Sequence, residues 1–174
     1  MPARLGEARI PLQVDIGFGD VITPGPVEVE YPTFLDFPAP KLKSYPKETV
    51  VAEKLEAMVK LGIANSRMKD FYDLLELSRR FNFEGSLLKS AIQATFQRRG
   101  TAVPSTTPLA LTPEFYEAPQ KQMQWTAFLR KSGLAAPSLD KVIISLQMFL
   151  LPLIVSIQRS ATFDLKWSAG GQWG

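Results

Sequence analysis

The chain has 174 residues, 45% hydrophobic and 21% charged, with a formal net charge of +3 and neither cysteine nor histidine. That length suits one domain or a little more around an ordinary core. The absent residue types exclude disulfides, thiolate catalysis, Ser-His-Asp hydrolysis and most transition-metal sites, leaving carboxylates, lysines, hydroxyls and a hard cation such as Mg²⁺.

Lack of cysteine makes a cytoplasmic setting the simple assumption. The mildly basic balance is compatible with nucleic acid or nucleotide and indicates neither. Met1 to Glu7 is polar with no apolar run behind it, so no signal peptide is expected. Ile10 to Gly17 reads as a strand, with Leu12, Val14 and Ile16 on one face and Gln13 and Asp15 on the other. Gly17, Gly19 and Asp20 turn the chain, and Pro24-Gly25-Pro26 marks a second turn. Val27 to Tyr31 alternates as a half-exposed strand, and Lys41 to Tyr45 forms a short edge strand beyond a proline-rich loop.

Helices follow. Pro46 suits a first helical turn, and Gly62 stops the helix after Leu61. Asn65 or Ser66 caps a second helix reaching Arg80. A third spans Ser86 to Arg99, short helices begin near Thr112 and Lys121, and Ser138-Leu139-Asp140 opens a long apolar one. The apolar run Val142–Ile157 is shorter than the roughly 20 residues of a membrane span. Ser145, Gln147 and Pro152 also interrupt it, so no membrane association is expected but a core helix kinked or ended near Pro152. The tail from Arg159 carries Phe163, Trp167 and Trp173 among glycines and is expected to fold back.

Two charges intrude on oily helical faces. At about 100° per residue, Lys54 falls between Leu61 and Met58 on the first helix. Asp70 falls between Leu77 and Leu74 on the second, with Arg67 nearby, while Glu53, Glu56 and Lys60 lie on the first helix's wet side. Buried charge is costly unless paired. One reading is a structural Lys54–Asp70 ion pair, and another has Lys54 snorkelling to solvent. A third is a cleft in which Lys54 meets phosphates and Asp70 orients it or acts as a base.

The blocks Tyr45-Pro46-Lys47-Glu48-Thr49-Val50-Val51-Ala52-Glu53-Lys54 and Asn65-Ser66-Arg67-Met68-Lys69-Asp70-Phe71-Tyr72-Asp73-Leu74 resemble the AbiEii/AbiGii nucleotidyltransferase toxin family of type IV toxin–antitoxin and abortive-infection systems. Leu12-Gln13-Val14-Asp15-Ile16-Gly17-Phe18-Gly19-Asp20 resembles the strand preceding them, and Gln124-Trp125-Thr126-Ala127-Phe128-Leu129 and the closing Trp167…Trp173 resemble the family's tail. The resemblance implies an α+β fold, with a partial DNA polymerase β-like nucleotidyltransferase sheet over residues 1–45. A helical domain over 46–158 would follow, with motif helices 46–62 and 66–80, and then the tail 159–174.

It also implies transfer of a nucleotide from a nucleoside triphosphate with Mg²⁺ to an acceptor, often tRNA, and a cognate antitoxin as partner. Asp15, Lys54 and Asp70 would be the catalytic residues. Lys54 would neutralise phosphate, Asp70 would organise the site, and Asp15 would be the third carboxylate of the triad and a metal ligand. Glu53, Arg67, Lys69 and Asp73 would support them. The family's Gly-Ser turn followed by Asp-x-Asp, which holds triphosphate and metals, is not found here. Asp15 alone makes an incomplete metal site. The expectation is therefore an N-terminally truncated chain, its metal-binding half upstream of Met1, that binds nucleotide weakly and is inactive alone. The alternatives are a non-catalytic binding remnant held by a structural Lys54–Asp70 pair and, third, an RNA-binding helical module without chemistry.

Overall fold

The computed structural model describes residues 2–11, 13 and 19–174. The fold is α+β, with small antiparallel hairpins ahead of a helical body. Strand β1 (Pro2–Leu5) pairs with β2 (Ala8–Pro11) across a turn at Gly6, whose φ of 58° favours glycine. Neither the polar start nor the strand expected over Ile10–Gly17 anticipated this hairpin. β2 ends at Pro11, and the remainder of that expected strand, Asp15 included, lies almost wholly outside the described residues.

Strands β3 (Val27–Glu30) and β4 (Lys41–Ser44) pair so that Val29 faces Leu42, while Glu28 faces Lys43 and Glu30 faces Lys41. One face of the hairpin is thus aliphatic and the other carries opposed charges. Helix α1 (Lys47–Leu61) follows, with Pro46 in extended backbone just outside it rather than in its first turn. Gly62, at φ 50°, ends it and donates its N–H to the Met58 carbonyl.

The hydroxyl of Thr49, fully buried in the first turn of α1, donates to the Thr23 carbonyl and accepts the Thr23 N–H, both at 3.0 Å. The turn at Thr23 is thereby fixed to α1. Thr49→Val keeps the shape but strands two backbone groups, and is expected to cost about 2 kcal/mol in urea unfolding.

Helix α2 (Met68–Arg80) leads into β5 (Phe83–Glu84) and α3 (Gly85–Arg99). A short α4 (Pro113–Tyr116), α5 (Pro119–Ser132) and α6 (Leu139–Gln158) complete the helices. α1 packs on α3, and α6 packs on α2 and α3. α6 runs through Pro152 to Gln158 instead of ending there. The residue whose carbonyl loses its helical donor to Pro152 is Met148, which is 55% exposed, so water can satisfy that carbonyl. By length and mean hydropathy of 1.8, α6 could cross a membrane, yet half of its apolar stretch is buried as the central core helix.

The tail closes this core. β6 (Lys166–Trp167) pairs with β5, and Gly174 pairs with Lys166. Phe149 of α6 stacks on Trp173 and meets Phe83 and Trp167 at a tilt, with ring centroids 4.8–5.9 Å apart. Trp173 Nε1 also donates to the Phe149 carbonyl at 3.0 Å. Gly85 is required where the tail crosses, because a Cβ there would lie 2.5 Å from both the Leu165 carbonyl and the Phe163 ring.

Candidate functional site

Lys54 projects from the middle of α1 toward the first turns of α2. Asp70 sits in the first turn of that helix, where a carboxylate complements the helix dipole. Asp73 lies three residues on, on the same face. Lys54 Nζ donates to Asp70 Oδ1 at 2.7 Å and to Asp73 Oδ2 at 2.8 Å. Asp73 Oδ2 also takes Lys69 Nζ at 2.5 Å. Arg67 Nε stands 2.7 Å from Asp70 Oδ2. That contact is ionic only, since Oδ2 is buried without a hydrogen bond. Side-chain exposure is 4% for Asp70, 16% for Lys54 and 22% for Asp73.

Burial opposes the charge on Lys54, but its hydrogen bonds to Asp70 and Asp73 outweigh burial and raise the ammonium above its ordinary value. Burial likewise opposes the charge on Asp73, and Lys54 and Lys69 together bring its carboxyl below the ordinary 3.8. With a folded value below the unfolded one, Asp73 contributes stability that is complete above about pH 4. This contribution is lost as pH falls through the folded value. The stability gap between the native protein and Asp73→Asn is therefore expected to narrow in urea titrations taken from pH 5 to pH 2.

The loop before α2 is fixed from within. Asn65 is fully buried, and its Oδ1 accepts the Arg67 N–H at 2.9 Å. Its carbonyl accepts Lys121 Nζ at 2.8 Å. Lys121 is only 4% exposed and lies 5.0 Å from the centroid of the Phe115 ring. Burial pushes its ammonium below the ordinary value. The sequence reading overlooked this lysine, although Lys121, Trp125 and Phe128 follow the spacing of one helical face.

The expected supporting residues divide. Arg67, Lys69 and Asp73 join Lys54 and Asp70. Glu53 turns away, with Oε1 3.3 Å from Arg99 Nη2. Glu56, expected on the wet side, is instead 2% exposed, bound by Arg99 Nη1 at 2.9 Å and by the Thr101 hydroxyl at 2.5 Å. Arg99 explains the difference, because it satisfies two glutamates of α1 from the last turn of α3. Asp20 borders the same cluster, accepting the Tyr45 hydroxyl at 3.1 Å. Asp15 lies outside the described residues.

Two open clefts flank the Lys54–Asp70–Asp73 cluster. One, of about 380 Å³, is lined by Val50, Lys54, Tyr72, Asp73 and Glu76. The other, of about 500 Å³, is lined by Arg67, Lys69, Asp70, Gln124, Phe128 and Lys131. A polyanion entering the first would meet the one ammonium that both carboxylates, buried Asp70 and half-buried Asp73, hold.

The sequence model of the nucleotidyl transferase AbiEii toxin, type IV toxin–antitoxin system, matches residues 1–146. The chain belongs to the AbiEii family. No curated protein and no solved structure matches it. The family match ends within α6, so the Trp167…Trp173 tail lies beyond it. At the level of the family, the protein is of nucleotidyltransferase type.

Such enzymes imply Mg²⁺, and the donor set can be tested for it. Among the described residues no group of three carboxylates could hold a cation. Asp70 and Asp73 are already engaged by Lys54, Arg67 and Lys69. The described residues of this AbiEii member do not fit a metal.

Proposed function

We propose that this AbiEii chain supplies the lysine–aspartate half of a nucleotidyltransferase site. The donor would be a nucleoside triphosphate with its Mg²⁺, the acceptor tRNA, the setting the cytoplasm, and the partner a cognate antitoxin. The observation that carries the reading is a lysine at a cleft wall, charged by two carboxylates and only 16% exposed. Phosphate oxygens entering that cleft could replace Asp73 as acceptors from Lys54. Asp70, nearly buried, would keep the ammonium aimed during the exchange. Asp73 would turn to Lys69, which already holds the same oxygen. Asp15 is assigned the activation of the acceptor hydroxyl from the family resemblance.

No Asp-x-Asp occurs in the 174 residues. The isolated chain is therefore expected to bind nucleoside triphosphate weakly and to transfer nothing. Binding should be lost in Lys54→Ala, measured by equilibrium dialysis with labelled triphosphates. Unchanged binding in that variant would remove Lys54 from the site. Robust labelling of total tRNA by the pure chain, abolished by Lys54→Ala, would overturn the expected inactivity.

A second reading is favoured by the same geometry. Lys54 already has two carboxylate partners of its own, which is what a structural ion pair in a non-catalytic interaction module requires. On that reading, replacing both Lys54 and Asp70 by apolar residues changes no binding property of the chain.

A further inference from the structure

The outward face of α5 differs from the rest of the surface. Of its fourteen residues only Lys121 and Trp125 are buried, and none is acidic. Gln120, Gln122, Thr126, Arg130 and Lys131 are exposed. Among the described residues, neither Arg130 nor Lys131 forms an ion pair. Cations in a last helical turn ordinarily do no more than complement the dipole. Here, however, they adjoin the cleft that carries Arg67, Lys69 and Asp70, and Ala127 lines both that cleft and a neighbouring one bordered by Arg130.

Counting Arg67, Lys69, Arg130 and Lys131 against Asp70, this face has a formal charge of +3. That equals the net charge of the whole chain, so the remainder is formally neutral. On the far side of α5 the surface changes character, where Gln122 and Thr126 share a cleft with Asp140.

We infer that the outward face of α5, with the cleft it shares with the start of α2, is a docking surface for RNA. Arg130, Lys131 and Lys69 meet backbone phosphates. The amides of Gln120, which is exposed, and Gln124, which lines the shared cleft, are suited to ribose hydroxyls and base edges. An anionic membrane is the less suitable partner, because α5 exposes Met123 as its single large apolar side chain and offers no apolar face to insert. Asp70 lines the docking cleft and binds Lys54, whose ammonium faces the other cleft. An RNA lying along α5 therefore ends beside the lysine. Only this last point, the RNA as acceptor, rests on the proposed function.

The test is fluorescence anisotropy of labelled total tRNA with the full chain, without nucleotide, across a salt series. Arg130→Gln with Lys131→Gln is expected to weaken binding on the order of tenfold at about 0.1 M salt. The slope of log affinity against log salt should fall by about two. Arg159→Gln, an exposed cation at the end of α6, should change neither. Equal weakening by Arg159→Gln would overturn the surface, as would an equally tight DNA hairpin of the same length. Binding to phosphatidylserine vesicles without binding to tRNA would overturn it too. The two proposals fail separately. tRNA binding that depends on Arg130 and Lys131, with nucleotide binding indifferent to Lys54, overturns the lysine site and supports the surface. The reverse result overturns the surface and leaves the lysine site standing.

Discussion

Asp70→Leu is expected to destabilise the protein by about 3 kcal/mol, the low end of the range for breaking a buried ion pair. The mechanism is the uncompensated charge left behind, more than the lost hydrogen bond. Lys54, 16% exposed, keeps Asp73 as its single carboxylate partner, and this moderates the loss. The double substitution Lys54→Met with Asp70→Leu removes both buried charges and fills the space with apolar atoms. It is expected to recover most of the loss, since well-packed apolar replacements of such pairs are often neutral or stabilising. Arg67 is 59% exposed and can turn to water, and Asp73 retains Lys69. Urea midpoints at constant slope measure both variants. If the double variant cost as much as the two single ones added together, the two charges would not be coupled. A double variant that is stable yet binds no nucleoside triphosphate would separate the site's function from its contribution to the fold.

Phe149→Ala is expected to cost about 4 kcal/mol, among the larger effects a single truncation can produce. Phe149 is fully buried and meets Phe83, Trp167 and Trp173. Its removal leaves a cavity bounded by the tail on one side and α6 on the other. The tail's other anchors are polar: the β5–β6 pairing, Trp167 Nε1 and the Gly170 N–H to the Ser78 carbonyl at 2.7 and 3.0 Å, the Ala169 N–H to Asn82 Oδ1 at 2.8 Å, Trp173 Nε1 to the Phe149 carbonyl at 3.0 Å, and the N–H of Gly85 to the Leu165 carbonyl at 2.8 Å. Loss of protection from hydrogen exchange over residues 163–174, beyond the global loss, would show that Phe149 holds the tail. Uniform loss would show that the tail unfolds only with the whole molecule.

Helix positions were readable because apolar spacing and terminal glycines act locally. Gly62 and Gly100 end α1 and α3 where their backbone freedom is used, at φ 50° and 63°. The Lys54–Asp70 pair was readable for the same reason, as two charges in apolar arcs. Glu56 was misread because its cost of burial is offset by Arg99, which lies 43 residues away in sequence. No helical projection can show such a partner. Lys121 was missed because a lysine near a helix start looks ordinary until its face is compared with Trp125. The first hairpin was missed because its strands are only four residues long and lack a sustained alternating pattern, and their pairing depends on register rather than composition.

The seating of Trp167 and Trp173 on Phe149 has a consequence for the order in which the molecule is made. Helices α1 and α2, with their lysine and aspartates, leave the ribosome long before residues 163–174. Until those residues emerge, Phe149 and Phe83 have only each other as aromatic neighbours in this cluster, and the nascent protein displays an oily seam beside an assembled polar centre. A chaperone acting on this chain would thus find its binding surface on α6 and β5, in the interval before the tail tryptophans emerge.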